Sequence, residues 1–147
     1  MRALLDRGLF VGVILVLAFV GLRLAACSTE VAPTPDVFAE GMTLDAALAQ
    51  SATTGKPVFV VATADWCGPC QAYKRGALAD ATVAEVIRAN TIAVYVNVDD
   101  DPAAADALGV SSIPASFLIV GGEVKAKFTG GKSAGELVQW IRANAAG

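Results

Sequence analysis

Apolar and polar residues follow two different periods along most of this chain, and the changes of period predict its elements. Apolar residues at i, i+3 and i+4 predict helices, and short apolar runs rich in β-branched residues predict strands. In chain order these are a helix capped by Thr43 and ending before Gly55, a strand at Val58–Ala62, a helix at Cys67–Lys74, a helical segment at Thr82–Ala89, a strand at Ile92–Val98, a short helix from Pro102 to Leu108, strands at Ser116–Val120 and Val124–Phe128, and a last helix capped by Ser133. Helices and strands alternate in the first half of the chain, which requires a parallel crossover between the first two strands, and the last two strands form an antiparallel hairpin. We therefore predict an α/β domain in which helices flank a central mixed sheet of about four strands.

The first 26 residues have the layout of an export segment. Arg2 and Arg7 precede an uncharged apolar run at residues 8–22, after which small residues lead to Cys27. A positive start, an apolar centre and a small-residue exit are typical of a secretory signal. The run has 15 residues, fewer than the roughly 18 expected of a spanning helix, so a signal peptide and an uncleaved membrane anchor both stay open. Either one places the rest of the chain outside the cytoplasmic membrane, in the periplasm or its equivalent.

The four residues Leu24-Ala25-Ala26-Cys27 resemble the lipobox of bacterial lipoproteins, in which the cysteine becomes the lipidated first residue. Arg23 departs from that motif, because apolar residues are usual there, and it keeps the uncleaved anchor open. Residues 27–36 are polar and contain two prolines, so we expect a tether. The predicted organisation is a signal peptide or anchor at 1–26, a tether at 27–36 and a single domain at 37–147.

Composition and charge exclude several classes of function. The chain has 11 basic and 14 acidic residues, and from Cys27 onward the net charge is −5. An acidic body without a basic stripe argues against nucleic acid as a partner. Histidine is absent, which excludes Ser-His-Asp and Cys-His hydrolases and His-ligated zinc.

The motif Trp66-Cys67-Gly68-Pro69-Cys70 lies between a predicted buried strand and a predicted helix. Two residues between the cysteines, in the first turn of a helix, let the sulfurs approach bonding distance. The helix dipole favours a thiolate on Cys67, and Pro69 fits the first turn because it has no amide hydrogen to lose. We expect Cys67 to attack a substrate disulfide and Cys70 to resolve the mixed disulfide. The redox group is then the Cys67–Cys70 disulfide itself, with no other cofactor and no metal.

A CxxC pair can also form a permanent disulfide or half of a metal site. Zinc needs four ligands, and Cys27 is the one further cysteine of the sequence. Cu(I) accepts soft sulfur ligands, so the alternative function is a Cu(I)-carrying or redox-silent binding module. Calcium is not expected at Asp99–Asp101, since no spaced loop of oxygen ligands follows; a turn and a helix cap before Pro102 are predicted.

The motif at residues 66–70 matches the thioredoxin active site residue for residue, and Gly109-Val110-Ser111-Ser112-Ile113-Pro114 resembles the Ile-Pro loop of that family. The similarity extends over about residues 43–144. The resemblance implies the thioredoxin fold, with a cis-proline in that loop beside the cysteines. It also implies a substrate groove, lined by Trp66, Ile113, Pro114 and Gly130. We expect disulfides of other proteins as substrates, a membrane electron donor for thiols, and a monomer.

Two positions depart from the thioredoxin pattern. Thioredoxins usually have a buried aspartate six residues before the first cysteine, where this chain has Val61, and Tyr95 stands where a lysine is frequent. Without that acid, deprotonation of Cys70 must rely on water or a departing thiolate. Ala64-Asp65-Trp66-Cys67 resembles the periplasmic group that includes the C-terminal domain of the transmembrane thiol reductant carrier. Asp65 itself either tunes the thiol of Cys67 or is simply solvated.

Together these features predict a thiol–disulfide oxidoreductase outside the cytoplasmic membrane, anchored by a lipidated Cys27 or by an uncleaved N-terminal helix. The Gly-Pro dipeptide between the cysteines resembles that of reducing thioredoxins, so reduction or exchange of substrate disulfides is favoured. The direction of electron flow depends on the reduction potential and on the electron partner.

Overall fold

The central strand of the sheet is the one whose residues are apolar in continuous succession. In the computed structural model, which describes residues 30–145, β1 spans Val58–Thr63 and is buried along its whole length. On one side β2 (Ile92–Asn97) pairs with it in parallel, and on the other side β3 (Ala115–Val120) pairs antiparallel. The outer strand β4 (Glu123–Thr129) completes a sheet of order β2-β1-β3-β4. The predicted mixed sheet of four strands is confirmed.

Helices cover both sides of this sheet and all the predicted ones are present. They are α1 (Leu44–Thr54), α2 (Gly68–Arg75), one 3₁₀ turn (Ala77–Ala79), α3 (Ala81–Asn90), α4 (Pro102–Ala107) and α5 (Ala134–Ala145). The ends of the elements differ from the predicted ends by at most one residue. The start of α2 moves to Gly68 because Cys67 has extended backbone angles and serves as the N-cap.

Three predicted helix caps are confirmed by hydrogen bonds. The Thr43 and Asp101 side chains each accept from the backbone N–H three residues further on, at 3.2 and 3.0 Å. At the start of α5 the pair is reciprocal, since Ser133 Oγ accepts from the Glu136 N–H and Glu136 Oε2 accepts from the Ser133 N–H. Each such cap stabilises a helix by about 1 kcal/mol. Because the capping residue lies at the start of the helix itself, these starts can be predicted from the sequence.

The two faces of the sheet bury different kinds of side chain. The face toward α1 and α4, here the α1 face, is hydrophobic on β1, β2 and β3, with Val58, Val60, Ala62, Ile92, Val94, Val96, Ala115, Phe117 and Ile119. The opposite face, here the α2 face, is covered by α2, α3 and α5. It carries Phe59, Val61, Tyr95 and Leu118, and by strand alternation also Thr63 and Ser116. Hydroxyl groups therefore lie under α2 and are absent from the buried strand residues of the α1 face.

The first described residues lie against the domain. Ala32, Val37 and Phe38 are buried, and the Phe38 ring lies 6.4 Å from the Phe59 ring between centroids. We call residues 31–34 the N-terminal strap. The predicted export segment, Cys27 and the start of the predicted tether lie outside the described residues. Within residues 30–145, no helix is both long and apolar enough to cross a bilayer.

Candidate active site

The two cysteines of the motif form a disulfide at the start of α2. Their sulfurs are 2.10 Å apart and their Cα atoms 5.2 Å apart. Gly68 and Pro69 form the first helical positions between them. The backbone N–H of Cys70 donates to Cys67 Sγ at 3.2 Å. Since N–H groups in the first turn of a helix have no intrahelical acceptor, this one and the helix dipole stabilise negative charge on Cys67.

Both cysteines are nearly buried, but not equally. Cys67 is 5% exposed and Cys70 is 1% exposed. Their surroundings are apolar, with Ala64, Val98 and Ile113 in contact. Cys67 is therefore less open to solvent than its predicted role suggested, although it is the more exposed residue of the two.

The loop before β3 brings three of the predicted groove residues together. The Ile113–Pro114 peptide bond is cis, as the resemblance implies, and Ile113 packs against the cysteine cluster. The Pro114 carbonyl accepts a hydrogen bond from the Gly130 N–H at 2.7 Å. Gly130 has a φ of +88°, in the region that favours glycine. Ile113, Pro114 and Gly130 thus form one continuous patch of backbone next to the disulfide.

Trp66, the fourth predicted groove residue, projects into solvent. It is 72% exposed, and its indole Nε1–H donates to Asp99 Oδ2 at 2.8 Å. Trp66 and Ile113 line an open groove of about 550 Å³ together with Val98 and residues of α4. An exposed, oriented aromatic ring beside such a groove suits contact with an extended peptide. The predicted turn and cap at residues 99–101 are present, and the contact of Asp99 with Trp66 is an addition that no local pattern indicates.

Gln71 connects the N-terminal strap to the loop before Cys67. Its Oε1 accepts from the Ala32 N–H at 2.6 Å, and its Nε2 donates to the carbonyls of Asp65 at 3.1 Å and Ala64 at 3.4 Å. The residue is 8% exposed, so its amide is satisfied within the protein. The sequence pattern missed this contact because 39 residues separate Ala32 from Gln71.

Lys74 is a second residue that the sequence pattern left without a role. It is 3% exposed, and lysine is almost never so buried without partners. Its Nζ donates to the Tyr95 hydroxyl at 3.1 Å and lies 3.7 Å from Asp65 Oδ1. The Asp65 side chain is 55% exposed, so it is partly solvated, and it is also paired with a buried cation; an effect of Asp65 on the Cys67 thiol stays a prediction.

Beneath α2 the β1 residues are flanked by hydroxyl groups. Val61, which stands where thioredoxins usually have a buried aspartate, is 1% exposed and is therefore a buried apolar side chain. The Tyr73 and Ser116 hydroxyls are 3.5 Å apart, and burial raises the pKa of Tyr73 to about 12 although the hydrogen bond with Ser116 opposes this. Thr63 Oγ1 is buried without a hydrogen-bond partner.

The geometry assigns the chemistry of the site to the sulfurs. Among residues 30–145, no group of three or more His, Cys, Asp or Glu side chains is placed to hold a metal ion. A dithiol–disulfide pair at a helix start, beside an open groove, can take up or release two electrons by exchange with another disulfide.

Comparison with known proteins agrees with this geometry. The thioredoxin-like family model matches residues 39–119, which is more than half of the chain. Thioredoxin 1 of Chlorobaculum tepidum is 42% identical over 78 residues, covering 53% of this chain and 74% of the relative. The thioredoxin of Allochromatium vinosum is 33% identical over 88 residues, covering 60% and 79%.

Solved structures give the same result. A crystal structure of a thioredoxin from Nicotiana alata superposes with a TM-score of 0.56 at 26% identity, covering 66% of this chain and 80% of that one. The solution structure of a Thermus thermophilus thioredoxin has a TM-score of 0.63 at 23% identity, covering 70% and 84%, and supports the fold. The chain belongs to the thioredoxin-like family and is a thiol–disulfide oxidoreductase whose redox group is its own disulfide, without an external cofactor.

Proposed function

We propose that this oxidoreductase reduces or exchanges disulfides of other proteins outside the cytoplasmic membrane, with Cys67 as the attacking thiol and Cys70 as the resolving thiol. The observation that carries the assignment of roles is the unequal setting of the sulfurs. Cys67 is the more exposed residue, caps α2 and accepts the Cys70 N–H, whereas Cys70 is enclosed within the first turn. A thiolate is the reactive form, and the stabilising groups converge on Cys67.

In the reducing direction the steps balance as follows. The Cys67 thiolate attacks one sulfur of the substrate disulfide, that S–S bond breaks, and the other substrate sulfur leaves as a thiolate that takes a proton from water. The Cys70 thiol then loses its proton to water and attacks Cys67 Sγ, which releases the second substrate thiol and forms the Cys67–Cys70 disulfide. Two electrons pass to the substrate, so a thiol donor must reduce the pair again. We propose a membrane protein as that donor.

The substrate chain would lie along Ile113 and Pro114, with Trp66 on one side and Gly130 on the other. Main-chain groups at the end of a strand can accept an extended peptide as an additional strand. Two contacts support this placement: Ile113 packs against the cysteines, and the Gly130 N–H donates to the Pro114 carbonyl.

Trapping of mixed disulfides tests the roles. In Cys70→Ser the resolving step is missing, so covalent adducts on Cys67 should accumulate and dissolve on reduction. Cys67→Ser is the matched control, and it should form no adducts and show disulfide reduction only at the rate without protein. Adducts that form on Cys70 of the Cys67→Ser protein, with none in Cys70→Ser, would reverse the assignment.

The location is proposed from the N-terminal sequence, with its positive start, apolar run at residues 8–22 and Cys27 in a lipobox-like setting. Intact mass of the membrane-extracted protein discriminates between the anchors. A mature chain that begins at a lipid-modified Cys27 supports the lipoprotein, and an unmodified chain beginning at Met1 supports the uncleaved helix. Recovery of the protein from the cytosolic fraction with an intact N-terminus would contradict both.

A further inference from the structure

A buried positive charge lies one helical turn beyond the redox pair. Residues four apart on a helix are neighbours, with Cβ atoms about 5–6 Å from each other, so Lys74 follows Cys70 on the same side of α2. Helical side chains lean toward the N-terminus, and the contacts of Lys74 agree, because Nζ reaches Asp65 in the loop before Cys67. The ammonium group therefore points along α2 toward the end that carries the sulfurs.

The surroundings of Lys74 keep this charge away from solvent. Tyr95 of β2 accepts its hydrogen bond, and the ammonium lies 5.5 Å from the centre of the Tyr95 ring. The N-terminal strap closes the outer side, where a cavity of about 510 Å³ is lined by the strap, Asp65, Lys74, Tyr95, Asn97, Asp100 and Asp101. The charges that face Lys74 are thus acidic, with Asp65 in direct contact and Asp100 and Asp101 across the cavity. Because Lys74 is 3% exposed, water screens its charge less than the charge of a surface lysine.

We propose that Lys74 is a positioning residue for the redox reaction: its buried charge stabilises the thiolates of Cys67 and Cys70 in the reduced form. Val61 replaces the usual buried acid, so within residues 30–145 no carboxylate is buried in the core to accept the proton of Cys70. Lys74 acts differently, because it lowers the free energy of the thiolate while the proton goes to water. Asp65, paired with Lys74 and two residues before Cys67, acts with the opposite sign. The inference uses the oxidoreductase activity and does not depend on the location proposed above.

Neutralising each partner of the pair should shift the redox properties in opposite directions. Lys74→Met keeps the length and apolar stem of the side chain. It should raise the pKa of Cys67 by about one unit and shift the equilibrium with glutathione toward the disulfide by up to about tenfold, or about 30 mV for a two-electron couple. Asp65→Asn should lower the pKa of Cys67 and favour the dithiol, by a smaller factor because Asp65 is half exposed and screened. The measurements are thiolate absorbance against pH and the redox equilibrium of the full chain.

Three further variants separate charge from structure. Lys74→Arg keeps the charge and should retain most of the wild-type pKa and potential. Arg75→Met removes the same charge from the next residue of α2, which is exposed, and should leave both nearly unchanged. The double variant Lys74→Met/Asp65→Asn should fall between the two single variants.

The signs decide the outcome. If Lys74→Met and Asp65→Asn shift the Cys67 pKa in the same direction, or if Lys74→Arg shifts it as far as Lys74→Met, the charge of Lys74 is not what acts on the sulfurs. Asp65→Asn changes an exposed side chain and should fold normally. A Cys67 pKa that does not move in Asp65→Asn would therefore contradict the charge pair even if Lys74→Met failed to fold.

Discussion

Val60 and Val61 are neighbours in β1, are equally buried, and lie on opposite faces of the sheet. Val60 pairs in register with Val94 and Phe117, on the α1 face, and the residues around it are hydrophobic. Val61 pairs in register with Tyr95 and Ser116, on the α2 face, where both cross-strand neighbours carry hydroxyl groups. One strand therefore packs against a purely apolar core on one side. On the other side it packs against a layer of polar residues, here the polar layer, made of Tyr73, Lys74, Tyr95 and Ser116.

The polar layer lies between the sheet and α2, the helix that carries the redox pair, and both contribute residues to it. Tyr73, Lys74, Tyr95 and Ser116 form two hydrogen-bonded pairs there, Tyr73 with Ser116 and Lys74 with Tyr95. Buried polar groups cost stability unless they are paired, and these two hydrogen bonds meet that condition, whereas the buried strand residues of the α1 face carry no such groups. The α2 face is therefore held to its helix by hydrogen bonds as well as by apolar packing.

An aspartate introduced on either face of β1 should give the largest change in the free energy of unfolding. Val60→Asp places an acid among apolar side chains and should lower the free energy of unfolding by about 4 kcal/mol or more, enough to unfold a marginal domain. Val61→Asp should cost about half as much, because the hydroxyls of Tyr95 and Ser116 flank it and the Lys74 ammonium is hydrogen-bonded to Tyr95. Denaturant unfolding at neutral pH measures both. Equal losses, or a larger loss for Val61→Asp, would show that the polar layer does not solvate a charge.

Alkaline unfolding probes the same layer with a smaller effect. The pKa of Tyr73 is raised to about 12 by burial, compared with about 10 in an unfolded chain. Between these values the unfolded chain loses the proton and the folded chain keeps it. The free energy of unfolding should therefore fall by about 1.4 kcal/mol per pH unit between about pH 10 and pH 12, and Tyr73 should add nothing to the slope below pH 10.

In the variant Tyr73→Phe the part of the fall in unfolding free energy that comes from Tyr73 at high pH should be absent. Tyr95→Phe is the matched control and should keep it, since Tyr73 is still present. The comparison is made on the difference in unfolding free energy between wild type and each variant at successive pH values. If Tyr73→Phe declines as steeply as the wild type, Tyr73 is not the group responsible.

Substitution of two buried threonines should give the smallest changes in the free energy of unfolding, and the two changes should have opposite signs. Thr63 Oγ1 has no hydrogen-bond partner, whereas Thr91 Oγ1 donates to the Ile87 carbonyl at 2.8 Å. Thr63→Val should raise the free energy of unfolding by about 1 kcal/mol, and Thr91→Val should lower it by a similar amount. Urea midpoints measure the difference. A loss of stability in Thr63→Val would mean that its hydroxyl is paired in solution.

The features predicted correctly are those encoded within a few neighbouring residues. The apolar run of β1, the caps at Thr43 and Ser133, and the motif at residues 66–70 each depend on a short stretch of chain. The cis bond before Pro114 came from the resemblance, because cis X-Pro bonds are uncommon and no local pattern requires one here.

The features that were missed depend on contacts between distant segments. A lysine on a helix is ordinarily expected in solvent, and Lys74 is buried because its ammonium lies against Tyr95 of β2 while the N-terminal strap covers its outer side. The contacts of Trp66 with Asp99 and of Gln71 with Ala32 span 33 and 39 residues. Helical and strand periodicity indicates which face of an element is covered, but it does not identify the polar partner that covers it.

The most direct test of the redox assignment is the equilibrium of the full chain with mixtures of reduced and oxidised glutathione, followed by thiol alkylation and intact mass. Cys67 and Cys70 should gain or lose two alkylation sites together in one two-electron transition, and the transition should be absent in Cys67→Ser and Cys70→Ser. A pair that stays in one state at every glutathione ratio would contradict a thiol–disulfide oxidoreductase.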